Sequence, residues 1–337
     1  MKRIFSLGIT SLLLSPLALA TLPNAYITPG PGADTIYNFA VDTGSGLLTT
    51  FTTAYANNMQ QYGQLTFAIV GGIQYAYVAD QMGYVYKCIL NADGSFNSCT
   101  ATPQSPPSWA PHGIAFATVN GVQYAYITDV NEGNVYQCSL NTDGTFNTCS
   151  LAIDAPFNAP YGIAFATLCG KQYAYIAEAV SSNSSTGSVY RCSLNNDGTF
   201  NKCLATPAQN VPGWIPYAVA FASFGGIQYA YIADNGTNLT NGHVYKCTLD
   251  SDGLFNRCVS TPSNAPTVNW VPSDLAFATI DGVQYAYITN YQASTGGVYR
   301  CKLNNNGSFT ICDATPATPY SPPSGTWTPV GIAFKIV

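Results

Sequence analysis

Through much of the chain, apolar and polar residues alternate with a period of two in short segments rich in β-branched and aromatic residues, which predicts strands. The stretch Pro111-His-Gly-Ile-Ala-Phe-Ala-Thr-Val-Asn-Gly121-Val-Gln-Tyr-Ala-Tyr126-Ile-Thr-Asp129 shows the pattern, followed by a loop, Val135-Tyr-Gln-Cys138, a turn and Phe146-Asn-Thr-Cys149. It reads as four antiparallel strands, the first two joined by the turn Asn120-Gly121 and the last two by Asp143-Gly144. Five copies follow one another, with the first turn recurring as Gly71-Gly72, Cys169-Gly170, Gly225-Gly226 and Asp281-Gly282.

Four antiparallel strands per copy of about 50 residues is the signature of a propeller blade. Blades 1 to 5 are predicted near 65–99, 111–149, 160–203, 216–258 and 272–312. Residues 24–53 match strands two to four of a further blade, and 329–337 match its missing first strand. Joining the two chain ends in this composite blade 6 closes the ring and removes open sheet edges. The predicted fold is therefore an all-β, six-bladed propeller, with residues 21–337 forming one domain.

Each whole blade carries a cysteine pair with ten residues between partners: Cys88 with Cys99, Cys138 with Cys149, Cys192 with Cys203, Cys247 with Cys258, and Cys301 with Cys312. Taking Asp93-Gly94 as a two-residue type I′ turn, outward counting puts Cys88 opposite Cys99, close enough for a disulfide. The same count applies to the other four pairs, so five hairpin disulfides are expected. Zinc would want short C-x2-4-C spacings with histidine partners, and neither occurs. Blade 6 has Phe39 and Phe51 at the cysteine positions, an apolar cross-strand pair. Cys169, the eleventh cysteine, has no repeat partner and predicts a free thiol or a disulfide-linked dimer.

Disulfides imply an oxidising compartment, and the N-terminus agrees. Lys2 and Arg3 precede an apolar run to Leu19, and Ala18-Leu19-Ala20 offers a small-residue cleavage site, so residues 1–20 read as a signal peptide of a secreted or periplasmic protein. No later stretch is long and apolar enough for a transmembrane helix. Removing Lys2 and Arg3 leaves 9 basic against 16 acidic residues, which argues against a nucleic-acid partner. Charged residues make up 8% of the chain, so the surface must be mostly Asn, Thr, Ser, Gln and Tyr.

Strand direction separates two faces. The x-Gly and Asp-Gly turns share the bottom and are uniform, whereas the top loops vary in length, so a site is expected on top. Three rings converge there. Trp109, Trp214, Trp270 and Trp327 stand two residues before the proline that opens a blade, with Asn158 in the remaining junction, and serve either as wedges between blades or as an aromatic platform for a ligand. The residue after that proline is His112, Tyr161, Tyr217, Ser273 (followed by Asp274) or Val330, at the channel mouth. Asp80, Asp129, Glu178, Asp234 and Asn290 close the second strands, where they either cap their own turns or supply oxygen ligands to calcium or magnesium. The string Asp42-Thr-Gly matches an aspartic-protease motif, but those enzymes need two such carboxylates and no second copy exists.

The recurring Pro-x-Gly-Ile-Ala-Phe, x-Gly and Tyr-x-Ala-Asp strings resemble the NHL-repeat and lactonase-type propellers over nearly the whole mature chain. In the six-bladed calcium gluconolactonases among them, the resemblance implies metal ligands of Asn or Asp in the slot before that Gly, plus a Glu. Here the slot holds His112, Tyr161, Tyr217, Ser273 and Val330, and the Gly itself is replaced by Ala218 and Asp274 in two blades. Pro-His-Gly-Ile also resembles the repeat of streptogramin lyases.

Two functions follow as expectations. The first is a binding or adhesion module for carbohydrate or a surface protein, using the tryptophans with Tyr161, Tyr217, Ser273 and Asp274, and needing no cofactor. The alternative is a metal-assisted lactonase, other hydrolase or lyase centred on His112, Asp129, Glu178 and Asp234, with calcium or magnesium bound.

Overall fold

A computed structural model describes residues 24–30, 35–56, 62–102, 108–154, 157–179, 187–206, 213–236, 241–267, 269–292, 296–316 and 327–335. The signal-peptide expectation lies outside them. The described residues form six four-stranded antiparallel sheets and no helix. Blade 2 is typical, with strands Pro111–Val119, Val122–Asp129, Asn134–Leu140 and Phe146–Leu151 in sequence order. In blade 6, Pro329–Phe334 pairs with Asn24–Pro29, which continues to Thr35–Val41 and Leu48–Ala56. The two ends of the described chain therefore close the ring within one sheet.

The turn between the first two strands is type I′ throughout: Asn120 and Gly121 have φ of 49° and 83°, and Gly71 and Gly72 have 57° and 81°. Cys169 adopts φ 48° in the same turn of blade 3 and is a free, exposed thiol.

All five expected disulfides are present. Cys88 is bonded to Cys99, Cys138 to Cys149, Cys192 to Cys203, Cys247 to Cys258 and Cys301 to Cys312, each pair with Cα atoms 4.0 Å apart. The first partner of each pair is fully buried, whereas Cys99, Cys149, Cys203, Cys258 and Cys312 on the outermost strand are only partly so.

The hairpin that presents them differs from the two-residue turn expected. Asn91 N–H donates to Ser95 O (2.8 Å), Gly94 N–H to Asn91 O (3.1 Å), and Gly94 has φ 86°, while Asp93 is not in the left-handed region. This is a three-residue loop, a type I turn followed by a left-handed glycine. The Asp93 carboxylate selects it by accepting the Ser95 N–H (2.8 Å) and hydroxyl (2.6 Å). Phe96 then pairs with Leu90 but Ser98 with Ile89, so Asn97 is bulged out. The longer loop and the bulge each move the register by one residue, and together they restore Cys88 opposite Cys99.

Each blade junction has one apolar cluster, six in all. At its centre is a second-strand tyrosine wedged against the next blade. Tyr175 stacks on Phe255 (centroids 5.9 Å, planes 3° apart) and leans on Phe221 (4.7 Å), and its hydroxyl donates to Gly253 O at 2.8 Å. The same bond joins Tyr26 to Gly94, Tyr77 to Gly144, Tyr126 to Gly198, Tyr231 to Gly307 and Tyr287 to Gly46. All six junctions are bridged alike, including both sides of the composite blade. In blade 6 the apolar pair expected in place of a disulfide is present, with Phe39 opposite Phe51 and ring centroids 5.4 Å apart.

Tyr175→Phe is expected to cost about 1–3 kcal/mol, because it leaves the Gly253 carbonyl without its buried partner. Cys192→Ser with Cys203→Ser is expected to cost about 3 kcal/mol through loop entropy. Chemical unfolding of both variants beside the parent protein checks each value.

Candidate functional site

The ring closing the second strands is deeply buried: Asp80, Asp129, Glu178, Asp234 and Asn290 are all below 5% exposed. Asp129 accepts the Ala110 N–H (2.8 Å), Asp234 that of Ile215 (2.7 Å) and Asn290 that of Val271 (2.7 Å), in each case the residue before the blade-opening proline. Glu178 accepts the N–H of Asn158 in the corresponding linker, and Asp80 that of Met82 at 3.0 Å. Asp129 also takes the Asn131 N–H (3.0 Å) and Asp234 the Gly236 N–H (3.2 Å) of the loops that follow them. These side chains cap loops. Among the described residues no group of three His, Cys, Asp or Glu could hold a metal ion. The oxygen donors expected for calcium or magnesium are thus spread one per blade, each with an oxygen held by backbone N–H. Of their buried oxygens among the described residues only Asp129 Oδ2 is left without a partner, so the donor set does not fit such an ion. Asp42 of the protease-like string lies in an exposed turn, holding the Ser45 N–H at 2.7 Å.

The tryptophans occupy the blade junctions. Trp109, Trp214, Trp270 and Trp327 are only 1–7% exposed, and each belongs to an inter-blade cluster. Trp109 meets Tyr136 edge to face at 5.8 Å and donates its indole N–H to Gly83 O. Where Asn158 replaces tryptophan, the neighbouring Phe157 fills the junction against Tyr190. A ring packed on both faces has none to offer a ligand, so burial removes all four tryptophans from the platform role.

The mouth ring has a structural cause. The pairing of first and second strands slips at the residue after each opening proline, as between Pro160/Gly162, Pro216/Ala218 and Pro272/Asp274, and it slips in the other blades too. A bulge re-aims the side chain of its extra residue, here toward the channel. Tyr161, Tyr217, Ser273, His112 and Val330 line a cavity of about 130 Å³ with Gln81 and Tyr291. Tyr161 and Tyr217 lie 4.1 Å apart between centroids, and His112 meets Tyr161 edge to face at 4.6 Å. His112 Nδ1 is 3.3 Å from the Tyr161 carbonyl, which can only accept, so Nδ1 carries the proton. Burial pushes the His112 pKa down to about 4, which keeps the imidazole neutral. Burial also pushes the phenols of Tyr217 and Tyr291 up. Ser273 Oγ is engaged by Thr289 Oγ1 (2.8 Å) and donates to Pro329 O (3.1 Å).

One residue further along the first strand, two side chains from different blades meet. Gly113, Gly162, Ala218 and Gly331 keep four blades bare, while Gln64 and Asp274 project from the other two. Gln64 Nε2 donates to Asp274 Oδ1 at 2.9 Å, and Ile332 N–H donates to Oδ2 at 3.0 Å. The carboxyl thus ties blade 5 to the C-terminal strand and to blade 1, across the composite blade. Burial raises its pKa to about 7. A Cβ on Gly113 would stand 2.3 Å from the Tyr161 carbonyl oxygen, which explains the bare neighbour. Gln64, Gln81 and Tyr291 escaped the sequence reading. Gln64 shares with Asp274 a slot that is otherwise Gly or Ala, and Gln81 and Tyr291 each follow a member of the capping ring.

Asp274 is protonated in the folded chain and ionised in the unfolded one between pH 4 and 7, so it lowers stability as pH rises, by about 4 kcal/mol in all. His112 has the opposite sign: its folded pKa is depressed, so stability rises from pH 4 to 6.5, by about 3 kcal/mol. Between pH 4 and 6.5 the two slopes largely cancel. Asp274→Asn removes the ionisation; its Oδ1 can accept the Ile332 N–H while its Nδ2 donates to a Gln64 amide turned to present Oε1. Its stability relative to the parent is expected to climb by about 1.4 kcal/mol per unit across pH 4–7, read by chemical unfolding at three pH values.

No protein-family model matches the chain, and neither does any curated protein. Solved structures do. A structure of a nidogen/laminin complex aligns with a TM-score of 0.63 at 14% identity, covering 93% of this chain and 98% of that one. The periplasmic gluconolactonase PpgL of Pseudomonas aeruginosa aligns with a TM-score of 0.57 at 13% identity over 94% and 100% of the two chains. A protein from Lactobacillus plantarum matches with the same TM-score at 14% identity, again over 94% and 100%. At these identities the shared property is the fold, and the likeness to NHL-repeat-like and gluconolactonase-like propellers is one of fold alone.

Proposed function

We propose that the protein is an exported, disulfide-stapled binding module whose top mouth receives an uncharged hydroxylated group, the tip of a carbohydrate presented at a surface. The observation that carries this reading is the mouth pocket, where three tyrosines and a neutral imidazole surround a space without a charged side chain. Phenol rings offer apolar faces to sugar C–H groups and hydroxyl edges to sugar oxygens. A volume of about 130 Å³ is well below the roughly 300–1,000 Å³ of ordinary small-molecule sites, which suits a terminal group rather than a whole oligosaccharide. Five disulfides accord with a periplasmic or extracellular setting, reached through the N-terminal apolar segment.

A surface protein is the second version of the same reading, since one structure of this fold comes from a complex of two proteins, nidogen and laminin. The metal-assisted lactonase, hydrolase or lyase has less support: His112 is enclosed and neutral, and Asp129, Glu178 and Asp234 are occupied in capping.

A glycan array is expected to give selective binding to neutral glycans, and Tyr217→Ala to weaken the best of them at least tenfold. An empty array, or full affinity in Tyr217→Ala, sinks the carbohydrate version. Calcium, magnesium and a chelator are each expected to leave the thermal midpoint unchanged, whereas a shift of several degrees would revive the metal-assisted alternative.

A further inference from the structure

The residue before the first cysteine of each pair is long and polar in every whole blade: Lys87, Gln137, Arg191, Lys246 and Arg300. Four of these reach the outer hairpin of the next blade. Lys87 donates to Asp143 O (2.7 Å), Gln137 to Asp197 O (2.8 Å), Lys246 to Asn306 O (2.9 Å) and Arg300 to Ser45 O. Arg191 is the exception. Its guanidinium lies over the Tyr173 ring at 4.7 Å, yet it has no hydrogen bond or ion pair among the described residues. It is only 8% exposed, and its Nε is sealed without a partner, as is that of Arg300, whose terminal nitrogens are bonded.

A sequence difference accounts for part of this. Arg300 faces Asp313 across its hairpin and bonds it at 2.6 Å, whereas the residue facing Arg191 is Leu204. In the next hairpin the Asp250 carboxylate is already held by the N–H groups of Asp252 and Leu254. A buried cation left without a partner is costly, so an unmatched guanidinium calls for an anion.

The space for one is present. Arg191 lines a cavity of about 500 Å³ on the bottom face beside Lys171, Asn120, Gln172, Asn195 and Asn196, and no carboxylate lines it. That size is ordinary for a small-molecule site. The repeat supplies an internal control in the groove between blades 4 and 5, about 550 Å³ at matching positions. There Val283 stands in place of Lys171, and Arg300, tied to Asp313, is not part of the lining.

We infer that the bottom groove at blades 2 and 3 binds an oxyanion, a carboxylate, sulfate or phosphate group on a small molecule or acidic sugar. Arg191 supplies a planar fork of donors, Lys171 a second positive charge and the Asn196 amide a further donor, while the amides of Asn120 and Asn195 already donate to Asn196 O and Thr199 Oγ1. This site lies on the opposite face from the mouth and does not depend on what the mouth binds.

Calorimetric titration of the full folded protein with inorganic phosphate, sulfate and galacturonate, at low ionic strength, tests it. At least one probe is expected to bind with Kd below about 10 mM, and the preferred one names the anion. Arg191→Gln and the exposed Lys171→Gln are each expected to weaken binding at least tenfold, while Lys302→Gln in the control groove leaves it intact. Leu204→Asp, which recreates the Arg300–Asp313 pair, is expected to fold, raise the thermal midpoint and abolish binding. Absence of binding by all three probes, or unchanged affinity in Arg191→Gln or Leu204→Asp, overturns the inference.

Discussion

The ring depends on one bond repeated at every junction, from a second-strand tyrosine hydroxyl to the carbonyl of a hairpin glycine in the next blade. The phenol has been taken out of water between two phenylalanines in most blades, so its O–H must find an acceptor inside the protein. Only the hairpin backbone is close enough, and only glycine lets it come close: a Cβ at Gly144, Gly253 or Gly307 would stand 2.6–2.7 Å from the hydroxyl oxygen. The same glycine must adopt positive φ to end the type I turn. Two independent demands thus meet at one residue. Each outer hairpin is fixed to the blade before it, and in blades 1 to 5 it is also stapled within by its disulfide.

That division of labour explains the composite blade. It lacks a cysteine pair, and its strands come from opposite ends of the chain, so it is where a ring would open. Tyr287 bonds to Gly46 and Tyr26 to Gly94, which holds both sides of the seam as at any other junction. Deeper in, the Asp274 carboxyl spans the same seam by holding Ile332 N–H and Gln64. The two side chains that meet there from different blades also fasten the ring's weakest blade.

Much of this was legible in the sequence because the repeat is a strong signal. Alternation, turn pairs and cysteine spacing give blade count, closure and disulfide partners without ambiguity. The hairpin type was not legible, because Asp-Gly suits both a type I′ turn and a type I turn with a left-handed glycine, and the Asn97 bulge leaves no mark in the pattern. The tryptophans stand at an attractive repeat position, but whether a side chain there points into a junction or onto a face depends on packing that periodicity does not encode. The acidic ring invites a metal for a similar reason: the sequence lists carboxylates, while only the structure shows that each is engaged by backbone N–H groups and that they stand one per blade.

A repeated position that every blade fills alike is explained by the ring itself, as the tyrosines, the capping acids and the wedge aromatics all are. The informative positions are single departures from the repeat, since the other blades show that the fold does not require them. His112 in the mouth, Gln64 and Asp274 in a glycine slot, and Arg191, whose counterparts all bond the next hairpin, are departures of this kind. The first three cluster at the channel and leave it polar but uncharged between about pH 4 and pH 7. The last one leaves a positive charge unmatched on the opposite face. A neutral mouth and a cationic groove make different demands on a ligand, so the two faces of one ring can recognise two chemistries.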